Sequence, residues 1–163
     1  MSDLFTAPTD GWTRVSVRLR DALRYAFVVP VTLAAVIATV VLHILLDRWW
    51  LTIVLAIAAV GGFVWAWLWT ARHQAAWGYA ENAEDLLITS GIMWRRLVCV
   101  PYGRMQYVDM QTGPIARRFG IARLTLHTAS PETAATIPGL RTEEAQRLRN
   151  RLTELGEARG AGL

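Results

Sequence analysis

A single cysteine, Cys99, excludes an internal disulfide and any multi-cysteine metal site, and it fits a reducing compartment. Lysine is absent altogether. All 17 basic residues are arginine against 13 acidic ones, a bias of composition that says little about function. The chain has no Gly-rich phosphate loop, no His-Glu metal helix and no Gly-x-Ser-x-Gly elbow. Glu81, Glu84 and Asp85 cluster at a turn, but no ligating histidine or loop of metal-binding spacing accompanies them, so they read as solvated. The arginines are scattered, which argues against a nucleic-acid surface. No cofactor, metal or catalytic residue is expected. Cys99 is expected to be a core thiol, with His127 its only conceivable partner as a nucleophile.

Formal charge is also missing from two long stretches. Residues 25–46 (YAFVVPVTLAAVIATVVLHILL) and 49–70 (WWLTIVLAIAAVGGFVWAWLWT) each run for about 22 residues without one. A bilayer core about 30 Å thick needs about 20 helical residues, so each run can span, and in hydrocarbon each must be helical to satisfy its own backbone. A 163-residue soluble domain could not bury two such helices on every side. A cleaved signal peptide has a shorter apolar core and is not followed at once by a second span. Only Asp47 and Arg48 separate the runs, which predicts a tight antiparallel hairpin.

Arginines 14, 18, 20 and 24 precede the first run, and Arg72 with His73 follows the second. The positive-inside rule therefore expects both termini in the cytoplasm of a two-span cell-membrane protein. Trp49 and Trp50 at one end, and Trp65, Trp67 and Trp69 at the other, suit the interfacial aromatic belts. Pro30, about one turn in, predicts a helix start or mild kink. His43, within a turn of the first run's end, is expected to be structural. Residues 1–24 read as a polar leader lying along the cytoplasmic surface.

From Arg72 the composition changes to that of a small α+β domain. Strands are expected at 77–82, 85–91, 92–100, 105–111, 121–128 and 133–137, the last ended by Pro138-Gly139. The cleanest is IARLTLHT, where Ala122, Leu124 and Leu126 alternate with Arg123, Thr125 and His127. Thr142 then caps a helix whose apolar stripe is Ala145, Leu148, Leu152 and Leu155, with Gly156 as its expected stop and 157–163 as a flexible tail.

Residues 100–129, VPYGRMQYVDMQTGPIARRFGIARLTLHTA, followed by IPGL at 137–140 and an Arg/Glu-rich helix, resemble the YdbS-like bacterial pleckstrin-homology domains. Met105-Gln106, Val108, Gly113-Pro114, Arg117, Gly120, Ala122, Leu124, Leu126 and Thr128-Ala129 carry the likeness, which covers roughly residues 15–155. The resemblance implies a two-helix transmembrane hairpin (25–70) followed by a PH-like domain (71–156). That domain is expected to be a bent antiparallel barrel or sandwich with a C-terminal helix. Six strands are legible where such a fold has seven. The loop expected as its first hairpin, NAED at 82–85, is acidic, so phosphoinositide recognition is not implied.

The expected function is that of a non-enzymatic interaction module at the cytoplasmic face, binding membrane or cytoplasmic protein partners, homo- or hetero-oligomeric. The resemblance links it to envelope stress. The alternative is a module that senses anionic lipid or a small ligand through Arg95, Arg96, Arg117 and Arg118. In the connector TGPIARRFG, Ile115 and Phe119 share a face and are expected to plug the domain. Arg117 and Arg118 point elsewhere, either as a solvated pair or toward headgroups.

Overall fold

The structure is a computed structural model that describes residues 11–46, 48–129 and 134–160. Asp47, at the expected hairpin tip, lies outside the described residues. Among the described residues the first element is a two-residue strand, β1 (Thr13–Arg14), followed by a helix at α1 (Arg18–Leu23). A π-helical turn over Arg24–Val28 connects it to α2 (Val29–Leu46). Pro30 accounts for the wide turn: it lacks an N–H and its ring crowds the carbonyl four residues back, a conflict that a wider turn relieves. The first helix therefore begins at Arg18 and continues through the proline.

The second helix, α3 (Trp49–Ala75), has 27 residues. At 1.5 Å per residue it is about 40 Å long, the thickness of a bilayer with its headgroups. Both helices present their large apolar side chains outward: Leu33, Ile44, Ile57 and Trp65 are 59, 73, 67 and 69 % exposed. The most apolar window of α3 has no buried residue, which excludes the core helix of a soluble protein. Near the tip, His43 Nδ1 and Thr52 Oγ1 are hydrogen-bonded at 2.9 Å, a local structural partner for the histidine.

Beyond α3 come β2 (Gly78–Glu81), β3 (Asp85–Ser90) and β4 (Arg96–Pro101), then β5 (Met105–Gln111), α4 (Pro114–Arg118), β6 (Ile121–Thr128), β7 (Ala135–Arg141) and α5 (Thr142–Gly160). They form two antiparallel sheets, β1-β2-β3-β4 and β5-β6-β7. Of the two forms expected, barrel or sandwich, the separate sheets correct the barrel. Leu86 and Val100 from one sheet, Leu124, Leu126 and Ile137 from the other, and Ala145, Leu148 and Leu152 from α5 build one core. The alternation of 121–128 and the helical stripe are as expected.

Several boundaries differ. The missing seventh strand is β1: Thr13 pairs with Tyr79 and Arg14 with Gly78. Residues 11–24 of the leader are thus part of the domain, because the apolar residues between its arginines are used by the core: Val15, Leu19 and Ala22 are buried there. Residues 1–10 lie outside the described residues. The first hairpin connection is consequently the transmembrane hairpin itself, and the acidic 82–85 loop is the second. The strand expected at 92–100 starts at Arg96, since 91–95 form the turn into it. Strand β7 runs through Pro138-Gly139 instead of ending there, with Gly139 at φ +70° and a register shift opposite Ala122–Leu124 absorbing the irregularity. A Cβ on Gly139 would lie 2.5 Å from that of Leu19, so the close approach of the leader helix requires glycine. Helix α5 passes Gly156 and takes in the first residues of the expected tail. Arg159 secures this last turn by donating to the carbonyls of Ala83 and Glu84 at 2.7 and 3.1 Å.

Candidate functional site

Where the hairpin meets the domain, polar groups bind the two helices together. Arg24 Nε donates to Thr70 Oγ1 at 3.2 Å and Nη2 to the Trp67 carbonyl at 3.1 Å. The guanidinium carbon also lies 3.6 Å from the centre of the Trp67 ring. One helical turn on, Gln74, buried, donates to the carbonyl of Val15 at 2.9 Å. An arginine and a glutamine placed here satisfy groups that would otherwise be buried without partners.

At the acidic turn, α5 pairs with Glu81, which corrects the reading of that carboxylate as solvated. Glu81 accepts from Arg147 at 2.6 Å and Arg151 at 3.2 Å. Arg147 also reaches Glu144 at 2.6 Å, and Glu144 accepts the Tyr79 hydroxyl at 2.7 Å. The hydrogen bond from Arg147 holds the Glu144 carboxyl below its ordinary range, while burial and then the bond to Glu144 raise the Tyr79 phenol. Among the described residues no group of His, Cys, Asp and Glu is arranged to hold a metal.

The four arginines singled out in the sequence do not form one set. Arg95 and Arg96 lie at the β3–β4 connection, whereas Arg117 and Arg118 are exposed on α4, between β5 and β6 of the other sheet. Ile115 and Phe119 pack against the core as expected, and Gly120, at φ +63°, turns the chain into β6. Phe119 meets the Tyr25 ring edge-on at 6.0 Å, and the Arg118 guanidinium lies 5.8 Å from the same ring. The connector therefore abuts the helix leading into the first span.

Cys99 is exposed, which corrects the expectation of a core thiol: Val98 packs inward and Val100 is fully buried, while Cys99 takes the outer face of β4. Its thiol donates to Asp85 Oδ2 at 2.8 Å and is pushed up to about 11 by partial burial and by that carboxylate. His127 sits in the other sheet, stacked on Tyr107 with ring centres 4.2 Å apart. The two make no catalytic pair, and a thiol held protonated is a poor nucleophile.

One feature escaped sequence reasoning. Strand β5 is an edge of its sheet, and between it and α5 lies a groove of about 760 Å³ lined by Tyr107, Val108, Asn150, Thr153, Gly156 and Glu157 among others. Tyr107, 57 % exposed, stands at its rim. The exposed Tyr within MQYVDMQ was its only sequence signal.

Comparison with known proteins fits this architecture. The chain is similar to the UPF0699 transmembrane protein YdbS of Bacillus subtilis (strain 168), with 32% identity over 139 residues, 85% of this chain and 84% of that protein. No solved structure matches it. The family model for the bacterial PH domain matches residues 24–156, so the segment it covers takes in both spans and strands β2 to β7, and leaves out β1. With two lipid-length helices inserted in a two-sheet module closed by a C-terminal helix, the chain belongs to the bacterial PH domain family and is a membrane protein of the YdbS-like kind.

Proposed function

We propose that the protein is a non-enzymatic adaptor, tethered at the cytoplasmic face of the cell membrane, that captures an extended segment of a protein partner along β5. The edge strand facing α5 carries this reading. It offers backbone hydrogen bonds to an added strand, and the groove beside it takes alternate side chains of that strand. Cytoplasmic placement rests on the arginines flanking the spans.

The test uses the full chain in its native membrane, with a photo-crosslinking residue at Gln106 or Thr153 and a control at Glu143 on the far end of α5. One protein should crosslink from both groove positions and not from the control. Gly156→Trp, which fills the groove, should abolish the adduct. A crosslink that survives Gly156→Trp, or that forms equally from Glu143, would refute the reading.

A second reading has its own support. Arg117 and Arg118 are exposed, and Arg118 lies beside Tyr25 near the start of the first span, which supports a role for α4 in touching anionic headgroups. Arg117→Glu with Arg118→Glu should then reduce the salt-sensitive part of the protein's association with anionic lipid, and leave crosslinking in the groove intact.

A further inference from the structure

The turn between β3 and β4 is built unlike a solvent loop. Ser90 pairs with Arg96, leaving Gly91, Ile92, Met93, Trp94 and Arg95 as the connection. Met93 is 83 % and Trp94 84 % exposed, and Ile92 is exposed too. Gly91 takes φ +100°, and the Trp94 carbonyl occupies the place a Cβ on residue 91 would need, so the turn is drawn tight. Three consecutive apolar side chains are thereby held out of the domain core, at a cost in water that an apolar or interfacial surrounding removes.

Directly behind this tip is a cavity of about 460 Å³ lined by Arg14 of β1, Arg72 near the end of α3, Arg95 of the turn, and Trp12 and Trp77. Among the described residues no carboxylate lines it, and none of these three arginines has an ion-pair partner. The indole Nε1–H of Trp12 is buried with no acceptor among the described residues. Unpaired donors of one sign on three separate elements fit an oxyanion, and arginine's fork suits phosphate. The cavity's depth is set by α3. Arg72 follows Trp49 by 23 residues, about 35 Å along the helix, whereas the hydrocarbon layer is about 30 Å thick. Arg72 and the cavity therefore lie at the level of the headgroups.

We propose that the β3–β4 turn is a membrane wedge: Ile92, Met93 and Trp94 enter the leaflet facing the domain, while Arg14, Arg72 and Arg95 grip the phosphate of an anionic phospholipid. The wedge is a third attachment to the bilayer, continuous with the end of the second span, and it fixes how the domain stands on the membrane. It leaves the β5–α5 groove free.

The experiment uses the full chain in vesicles, either neutral phosphatidylcholine or the same with added phosphatidylglycerol. In a Cys99→Ser background, an environment-sensitive fluorophore is placed at Trp94→Cys, at Met93→Cys (which keeps Trp94), or at Thr153→Cys on α5. Labels at 93 and 94 should shift to the blue and be quenched by acyl-chain spin labels, more so with phosphatidylglycerol, and the label at 153 should do neither. Arg95→Gln and Arg14→Gln, checked for unchanged melting in detergent, should each lower the inserted-to-free ratio about fivefold, the loss of about 1 kcal/mol per arginine near an anionic surface. Labels at 93 and 94 that stay in water in both vesicle types would overturn the wedge and leave the tip as a protein-docking surface. Insertion indifferent to phosphatidylglycerol and to both arginine changes would overturn the phosphate site.

Discussion

Gln74, near the end of the second span, donates its side-chain amide to the backbone of Val15, 59 positions earlier, at 2.9 Å. The bond closes the transmembrane hairpin at its base and fastens it to the leader strand at the point where both join the domain. Hairpin and domain are thus one packed unit, and the tether transmits orientation as well as proximity.

The same junction depends on Arg24, whose side chain is 12 % exposed and makes two hydrogen bonds and a ring contact with α3. A desolvated cation–π contact contributes about 2 kcal/mol. Arg24→Ala should therefore lower the melting temperature of the detergent-solubilised protein clearly. Arg24→Lys keeps the charge but lacks the planar fork, and should recover only part of the loss. A melt unchanged by Arg24→Ala would show that the junction contributes nothing to stability.

The leader supplies the next prediction. Leu19 is 8 % exposed against the core and lies against Gly139. Leu19→Ala should cost about 2–5 kcal/mol in urea unfolding, and Gly139→Ala should be comparably damaging through strain and overlap. A fragment of residues 72–163 lacks β1, Val15, Leu19 and Ala22 and should fail to give a cooperative transition. Joining residues 11–24 to 71–163 through about eight Gly/Ser residues, which reach roughly 15 Å, should restore one. A fully cooperative 72–163 fragment would refute this account of the core.

What the sequence showed and hid follows from range. The two uncharged runs, the alternation of 121–128 and the stripe of Ala145, Leu148 and Leu152 are local periodicities, and each is in the structure where its period put it. The role of the leader was not legible, because its apolar residues are too few to announce a strand, and they become core only through contacts dozens of positions away. Cys99 was misplaced because RRLVCV carries apolar side chains on both faces. Alternation then gives two sets without saying which is inward, and burial of Val98 and Val100 decides it. The arginine candidates were chosen by type, and topology distributed them between two sheets.

Stability should fall at both pH extremes through one network. Glu144 titrates below its ordinary 4.5 in the folded chain, chiefly through Arg147. Its contribution is present above that ordinary value and is lost as pH falls through the lowered one. Tyr79 titrates above its ordinary 10.0, chiefly through burial, so its contribution is complete below 10.0 and declines as pH rises beyond it. Urea midpoints across pH should show both losses. Glu144→Gln should flatten the acid side, and Tyr79→Phe should reduce the alkaline side, leaving what Tyr102 and Cys99, both also raised by burial, contribute. An alkaline limb identical in Tyr79→Phe would disprove the assignment.

Cys99 gives the sharpest chemical test, since exposure and reactivity point in opposite directions. An exposed thiol is ordinarily the one that alkylates first, and this one is the only thiol in the chain. Its proton, however, is held on the sulfur by partial burial and by the hydrogen bond the thiol donates to Asp85, and its titration is pushed up to about 11 from an ordinary 9.0. Only the thiolate attacks, so near neutral pH the reactive fraction is about a hundredfold smaller than for a free thiol. Iodoacetamide labelling of the intact protein should be slow at neutral pH and climb about tenfold per pH unit until near 11. Asp85→Asn removes the carboxylate but not the partial burial, so the profile should move part of the way back toward 9.0. Rapid labelling at neutral pH, with no response to Asp85→Asn, would mean the thiol does not donate to that carboxylate, and nucleophilic chemistry at β4 would have to be reconsidered.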